Sequence, residues 1–473
     1  MSELPPTSAP DDEVSPSHRG PEHAEPPAFA RELWNTRVGF ILAAVGSAVG
    51  LGNMWRFPYY ASEHGGAAFV ALYVGLTFLL GIPLLLAEFT VGRRTRLSPI
   101  GALRKVGGSG WTPMGYMYVL AGFLILAFYS VIAGWVTRYA LAFLFTGFPE
   151  DPGAYFTSIA TGPNAIGFHL LFMGITIAIV MGGVEKGIER ASLIMMPTLL
   201  VLVAGLALWA ATLSGSADGY AFYLAPDWGE ILSLDTFGAA AAQAAFSLSL
   251  GMGAMLTFAS YLSKDESLPR EGTIIAFSDF GVAFTAGLVV FPVIFALGLQ
   301  GAVSESTVGA LFIALPGGFA AMGDVIGRVV GSIFFLALFI GAVTSAISLL
   351  EVVTSSMIDE FGWPRKKAAI LMGLSIALVG IWPAVNLNAL DAYDQVTGNV
   401  FLPLGALLLA ILVGWVMKNP IDEISIGSSG RSAGFFKAWI WMLRIVAPVL
   451  LAVVLWSTVP SALRAIGTLF GGS

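Results

Sequence analysis

Gly46-Ser-Ala-Val-Gly-Leu-Gly-Asn53-Met-Trp-Arg56-Phe-Pro58 sets three glycines and one asparagine in the middle of a hydrophobic run. A chain crossing hydrocarbon satisfies its amides and carbonyls within its own helix, because lipid offers no partners. Gly46, Gly50 and Gly52 weaken that helix where an unwound turn would expose carbonyl oxygens. Those oxygens, with the Asn53 side chain, are hard ligands of the kind small cations take. The plainer alternative is a kinked helix packed against its neighbours.

A second interruption weighs against coincidence. Gln243-Ala-Ala-Phe-Ser247-Leu-Ser249-Leu-Gly251-Met-Gly253 repeats the Gly-apolar-Gly break inside another apolar run. Five runs separate the two breaks, counting the first and not the second. An odd repeat sends the second unit into the membrane from the opposite side, so the halves are inverted copies. Paired breaks at matching places in two halves point to a transporter's binding site.

Of 473 residues, 56% are hydrophobic and 11% charged, and the mean hydropathy is +0.82. A soluble fold could not cover so much apolar surface, which makes this an all-α polytopic membrane protein. Apolar runs lie near 38–61, 67–91, 112–146, 164–183, 191–214, 236–262, 273–299, 328–358, 366–386, 393–417 and 435–459, giving eleven spans. Residues 31–214 form the first repeat (spans one to five), 236–417 the second (spans six to ten), and 435–459 an added eleventh span. Residues 460–473 are then a short external tail.

Lys and Arg cluster before span one and in every second loop, while loops 147–163, 215–235, 300–327 and 387–392 carry neither. The positive-inside rule puts the N-terminus in the cytoplasm and the C-terminus outside. Residues 1–30 are rich in Pro, Glu and Ser and read as a disordered cytoplasmic tail without a signal peptide's basic and apolar regions. There is no cysteine, which excludes disulfides and thiolate chemistry. His18, His23, His64 and His169 form no HExxH pair, no P-loop occurs, and no basic run suggests nucleic acid.

Several motifs together carry a resemblance. Trp34-Asn-Thr-Arg37, the Gly46–Pro58 stretch, Glu88-Phe-Thr-Val-Gly-Arg93, Lys186-Gly-Ile-Glu-Arg190, Ser247-Leu-Ser-Leu-Gly-Met-Gly253 and Thr344-Ser345 occur in order across residues 31–459. The chain resembles the neurotransmitter:sodium symporter family, in particular its eleven-helix bacterial amino-acid members. That resemblance implies a LeuT-type five-plus-five inverted repeat with discontinuous helices one and six, and sodium entry coupled to amino-acid uptake.

By the same resemblance, a first sodium site would use the Ala48 carbonyl, Asn53 and Ser247, with Ser278 and Asp279 contributed by span seven. A second would use the carbonyls of Gly46, Val49 and Gly341 and the hydroxyls of Thr344 and Ser345. Back-bonding within their own helix is the alternative for those hydroxyls. Asp279 is an intramembrane carboxylate, costing about 2.5–3.5 kcal/mol on insertion scales, and would make transport independent of chloride. Two sodium ions and no organic cofactor are implied.

Gly50 stands where amine-carrying relatives place an aspartate, leaving room for a substrate's own carboxylate. The implied pocket is Ser47, Ala48, Gly50, Gly52, Ile125, Tyr129, Phe246, Ser247, Ser249, Met252 and Leu349, and it suits hydrophobic or aromatic amino acids. Core packing is the alternative for Ile125 and Leu349. Implied gates are Arg56 with Asp394 outside, and Arg31 with Asp359 inside, beside Trp34 and Tyr261; a plain positive-inside anchor is the alternative for Arg31. Gly187 and Pro197 would let span five unwind. Glu88 would brace the broken first helix through its freed amides, and Glu351 has no evident role.

Rival functions are a proton-coupled or amine-selective transporter of the same fold, a non-transporting amino-acid sensor and, more remotely, a channel. The amino-acid substrate and the bilayer are the only partners implied, with no obligate protein partner.

Overall fold

The computed structural model describes residues 32–147, 149–226, 233–299, 309–428 and 431–469. The expected tail 1–30, Arg31 and residues 470–473 lie outside them.

Among the described residues nine helical rods are long and apolar enough to cross a bilayer. They are Ala67–Thr95, Ser109–Thr146, Pro163–Val180, Val184–Ala210, Leu268–Ala296, Asp324–Phe361, Arg365–Val385, Leu387–Val416 and Ala433–Leu469. A further crossing is made by Arg37–Ala48 and Gly52–Glu63, bent by 47° at the break between them. Nine crossings, or ten with that bent pair, result; Leu234–Ser247 and Ala254–Ala259 flank a second break at the place of the expected sixth span, and the helices are numbered accordingly.

Each break has a local cause. In span one, Val49 turns out of the helix into extended backbone (φ −78°, ψ 102°). In span six, Ser249, Gly251 and Gly253 all have positive φ, at 53°, 80° and 77°. Gly251 is obligatory there, because a Cβ would stand 2.2 Å from the Leu402 carbonyl oxygen. Among non-glycine residues such backbone is uncommon, and Ser249 adopts it beside the cavity described below.

Spans three and eight form the centre: 78% and 83% of their most apolar windows are buried, against 28–33% for spans four, five and eleven. Gly46 lets span one approach span eight, where its Cβ would lie 3.0 Å from Thr344 Cβ and 3.1 Å from Met196 Sδ. Large apolar side chains such as Val201, Leu208 and Trp456 point outward, as a lipid-facing surface requires.

Two boundaries differ from the sequence expectation. The last helix runs through Pro460 to Leu469, so residues 460–469 extend span eleven and are not a separate tail. Span five is helical through Pro197, whose side chain is exposed. Gly187 sits in a π-helical turn at Val184–Glu189, where a Cβ would meet the Ile179 carbonyl at 2.0 Å. The expected unwinding point is therefore a wider helical turn, while the proline leaves the helix intact.

Candidate functional site

The two breaks face each other. Asn53, just after the first, donates Nδ2 to Ser247 Oγ (3.1 Å), the Asp279 carbonyl (3.2 Å) and Asp279 Oδ1 (2.7 Å). Ser247 donates to Asp279 Oδ2 at 2.7 Å, and the Tyr73 hydroxyl donates to Ser247 Oγ at 3.1 Å. Asn53, Ser247 and Asp279 are all buried. Three oxygens thus converge on the neutral Asn53 amide group, and oxygens so gathered are the surrounding a hard cation takes. Ser278 does not join them. It is half-buried on the adjacent face of the same helix, and one residue's rotation of about 100° separates it from Asp279.

The second cluster joins the first break to span eight. Ser345 Oγ lies 3.3 Å from the carbonyls of Gly46 and Ser47 and 3.5 Å from that of Val49. Thr344 donates back to its own helix, to Gly341 at 3.0 Å and Ile340 at 3.2 Å, so the back-bonding alternative holds for it in this geometry. Its Cβ nevertheless faces Gly46, so this turn of span eight lies against the first break.

Between these clusters lies a cavity lined by Ser47, Ala48, Gly50, Gly52, Ile125, Tyr129, Phe246, Ser249, Met252, Ser345, Ser348 and Leu349. Every expected pocket residue is present except Ser247, which faces the first cluster instead. Ser348 was missed; it accepts from Ser47 Oγ at 2.8 Å. No lining side chain is charged. The space left open is about 30 Å³. A larger cavity of about 300 Å³ adjoins it, sharing Gly52, Tyr129 and Phe246 and bounded by Arg56, Asp391 and Asp394. Arg56 Nη1 is 3.8 Å from Asp394 Oδ1, and the guanidinium sits 4.4 Å from the Phe246 ring centre. The two residues expected to form an outer gate thus lie within ion-pair distance.

The sodium:neurotransmitter symporter family model matches residues 31–151 and 161–465. The chain belongs to this family. It is 36% identical to the sodium-dependent transporter YhdH of Bacillus subtilis, over 89% of this chain and 96% of that one. It is 35% identical to a sodium-dependent transporter of Methanocaldococcus jannaschii, over 90% and 89% respectively. The crystal structure of MhsT in complex with L-phenylalanine superposes with a TM-score of 0.82 at 41% identity, covering 91% of this chain and all of that one. The family consists of transporters, not enzymes.

Of the pair expected on the inner side, Arg31 lies outside the described residues, and other contacts gather around Asp359, Trp34 and Tyr261. Trp34 Nε1 donates to the Phe258 carbonyl at 2.9 Å, and its amide to the Tyr261 carbonyl at 3.2 Å. Asp359 accepts from the Ser98 amide at 2.6 Å. Glu351, without a role from sequence, accepts from the Tyr261 hydroxyl at 2.5 Å and from Arg365 at 2.7 and 3.0 Å. Arg365 continues to Glu32 at 2.9 Å. Spans six, eight and nine are thereby tied to the segment preceding span one. A Tyr261→Phe variant removes a hydrogen bond of about 1.5–3 kcal/mol, the range for bonds to charged groups. It is expected to shift the symporter at least about tenfold toward inward-open states. Labelling of a single cysteine introduced on the inner side checks this, and the natural chain has no cysteine to interfere. Unchanged labelling rates would show that Tyr261 does not hold the inner face.

Glu88 braces the other break from the one expected. Its Oε1 accepts from the Gly251 amide and its Oε2 from the Leu256 amide, both at 2.9 Å. Span two therefore caps the amides that unwinding frees in span six. A Glu88→Ala variant strands two buried N–H groups at about 1–3 kcal/mol each, so roughly 2–6 kcal/mol of stability is lost. A thermal melt in detergent measures the loss; a melting point equal to wild type would refute the brace.

Proposed function

We propose that the protein couples inward movement of two sodium ions to uptake of hydrophobic and aromatic L-amino acids by alternating access, independently of chloride. Its N-terminus is cytoplasmic and its C-terminus external. The observation that carries the substrate class is the cavity wall: twelve residues, none charged, with Gly50 where an amine-recognising carboxylate would otherwise project. The substrate carboxylate meets the Tyr129 hydroxyl and the amides of the first break, where Leu51 N donates to Tyr129 at 3.3 Å. Its ammonium faces the carbonyls released at the second break, and its side chain lies among Ile125, Phe246, Met252 and Leu349. Met252 supplies a flexible thioether that repacks around side chains of different size. That the family neighbour MhsT was crystallised with L-phenylalanine supports the same class.

Coupling follows from shared parts. Ser345 touches the carbonyls of the second sodium cluster and also lines the cavity. Ala48, expected to lend its carbonyl to the first sodium, lines the cavity too. Ion and substrate binding therefore draw the same two breaks together. Each sodium ion crossing 100 mV releases about 2.3 kcal/mol, and a tenfold gradient adds about 1.4 kcal/mol. Two ions supply roughly 7 kcal/mol, enough for accumulation on the order of 10⁵-fold.

Competition against sodium-dependent binding of labelled phenylalanine by the purified protein tests the substrate class. Leucine, methionine and tryptophan are expected to compete, while aspartate, lysine and phenethylamine are not. Equal competition by phenethylamine, which lacks a carboxylate, would overturn the role assigned to Gly50. Competition by lysine or aspartate would overturn the apolar pocket.

A further inference from the structure

At the end of the molecule that carries the basic loops, the tenth span finishes at Val416 and the eleventh starts at Ala433. Their ends frame a cavity of about 890 Å³ whose walls include Trp415, Lys418, Asp422, Lys437, Trp441 and Arg444. A second cavity of about 550 Å³ shares Lys418 with it and adds Arg94 and Lys105. Five cations therefore border two adjoining recesses whose walls include a single carboxylate, Asp422.

Four other arginines at this end are neutralised: Arg37 pairs with Glu271, Arg93 with Glu423, Arg104 with Glu360 and Arg365 with Glu351. Among the described residues, Arg94, Lys105, Lys418, Lys437 and Arg444 take part in no ion pair. Two of them are nonetheless fixed. Arg94 donates to the Lys418 carbonyl at 2.6 Å and Arg444 to the Gly414 carbonyl at 2.6 Å. The Arg444 guanidinium also stacks 5.3 Å from the Trp415 ring centre, while Trp415 Nε1 donates back to the Arg444 carbonyl at 3.3 Å. Like charges held together repel unless an anion sits between them.

The mouth of the larger recess is marked as a membrane interface. Trp415 and Trp441 are 64% and 55% exposed, as the aromatic belt at headgroup level is. From Trp441 an exposed apolar strip continues along span eleven through Ile445 and Val449, at four-residue spacing. A ligand seated here meets positive charge at one end and hydrocarbon at the other.

We propose that this recess binds the phosphate headgroup of an anionic phospholipid of the phosphatidylglycerol type, with an acyl chain along the Trp441–Val449 strip. Lys418, Lys437 and Arg444 bind the phosphodiester. A basic pocket between span ends on the cytoplasmic side matches the anionic inner leaflet.

Native mass spectrometry of the full chain, delipidated and titrated with phosphatidylglycerol, tests the site. One saturable lipid is expected, bound on the order of 100-fold more weakly by the Lys418→Gln, Lys437→Gln, Arg444→Gln triple variant. A Lys366→Gln, Lys367→Gln variant, altered in a basic loop outside the recess, is expected to bind as wild type does. Phosphatidylethanolamine and inorganic phosphate are expected not to displace the lipid. Should the triple variant melt early, single Lys437→Gln replaces it, with about a fivefold loss expected. Equal retention by wild type and recess variants, or equal loss in the Lys366, Lys367 control, would overturn the site. Displacement by inorganic phosphate would show an anion site that is not a lipid site.

Discussion

Gly50→Ala is expected to lower sodium-driven uptake by roughly 100-fold while leaving the protein folded. An added Cβ would stand 2.3 Å from Ser345 Oγ and 3.0 Å from the Tyr129 hydroxyl. Relief requires Ser345 to rotate, yet its Oγ is the atom that lies against the carbonyls of Gly46, Ser47 and Val49. The methyl group therefore damages the proposed second sodium cluster and the proposed seat of the substrate carboxylate at once. Overpacking of this kind costs about 1–3 kcal/mol, spent here in the transport site and not in the fold. Gly75→Ala in span two is the control, since nothing lies within 4 Å of its Cβ position. Initial uptake rates beside melting curves separate the two effects. Wild-type uptake by Gly50→Ala would remove Gly50 from the site.

Asp279→Ser is expected to weaken sodium binding by roughly 3–5 kcal/mol, the cost of deleting one partner of a buried charge pair. Added chloride is expected to restore part of that loss in the variant and to do nothing for wild type. The reason lies in the geometry. Asp279 is buried and reaches Asn53, Ser247 and Tyr73 together, so its charge lies in the proposed first sodium cluster. A serine keeps a hydroxyl but leaves the ion without its fixed counter-charge, which a chloride ion then supplies. Sodium titrations in chloride and in gluconate report both effects. Chloride stimulation of wild type, or unchanged sodium affinity in Asp279→Ser, would contradict the account.

Both helix breaks were legible in the sequence because glycine is conspicuous in apolar runs, and so were the long apolar helices. What escaped was mostly rotational or distant. Ser278 and Asp279 are both polar and adjacent, and the pattern Ile275, Ala276, Asp279, Val282, Ala283, Ala286 marks the buried stripe that selects Asp279. That periodicity was available as a signal. Ser348 likewise lies one helical turn beyond Ser345 and could have been found by spacing. Glu88 could be read as a brace but not assigned to its break, since Gly251 and Leu256 are more than 160 positions away. Glu351 acquired a partner only when folding brought Tyr261 over from span six and turned Arg365 back from 14 residues on. Contacts of that range depend on packing, and no local pattern encodes them.

The symporter account stands most directly on uptake of labelled phenylalanine by proteoliposomes under an inward sodium gradient, an inward potassium gradient, or a pH gradient alone. Concentrative uptake with sodium only, steepening with sodium as two ions require, is the predicted result. Uptake driven by the pH gradient and indifferent to sodium would contradict it, because the two oxygen clusters at the helix breaks would then not be sodium sites.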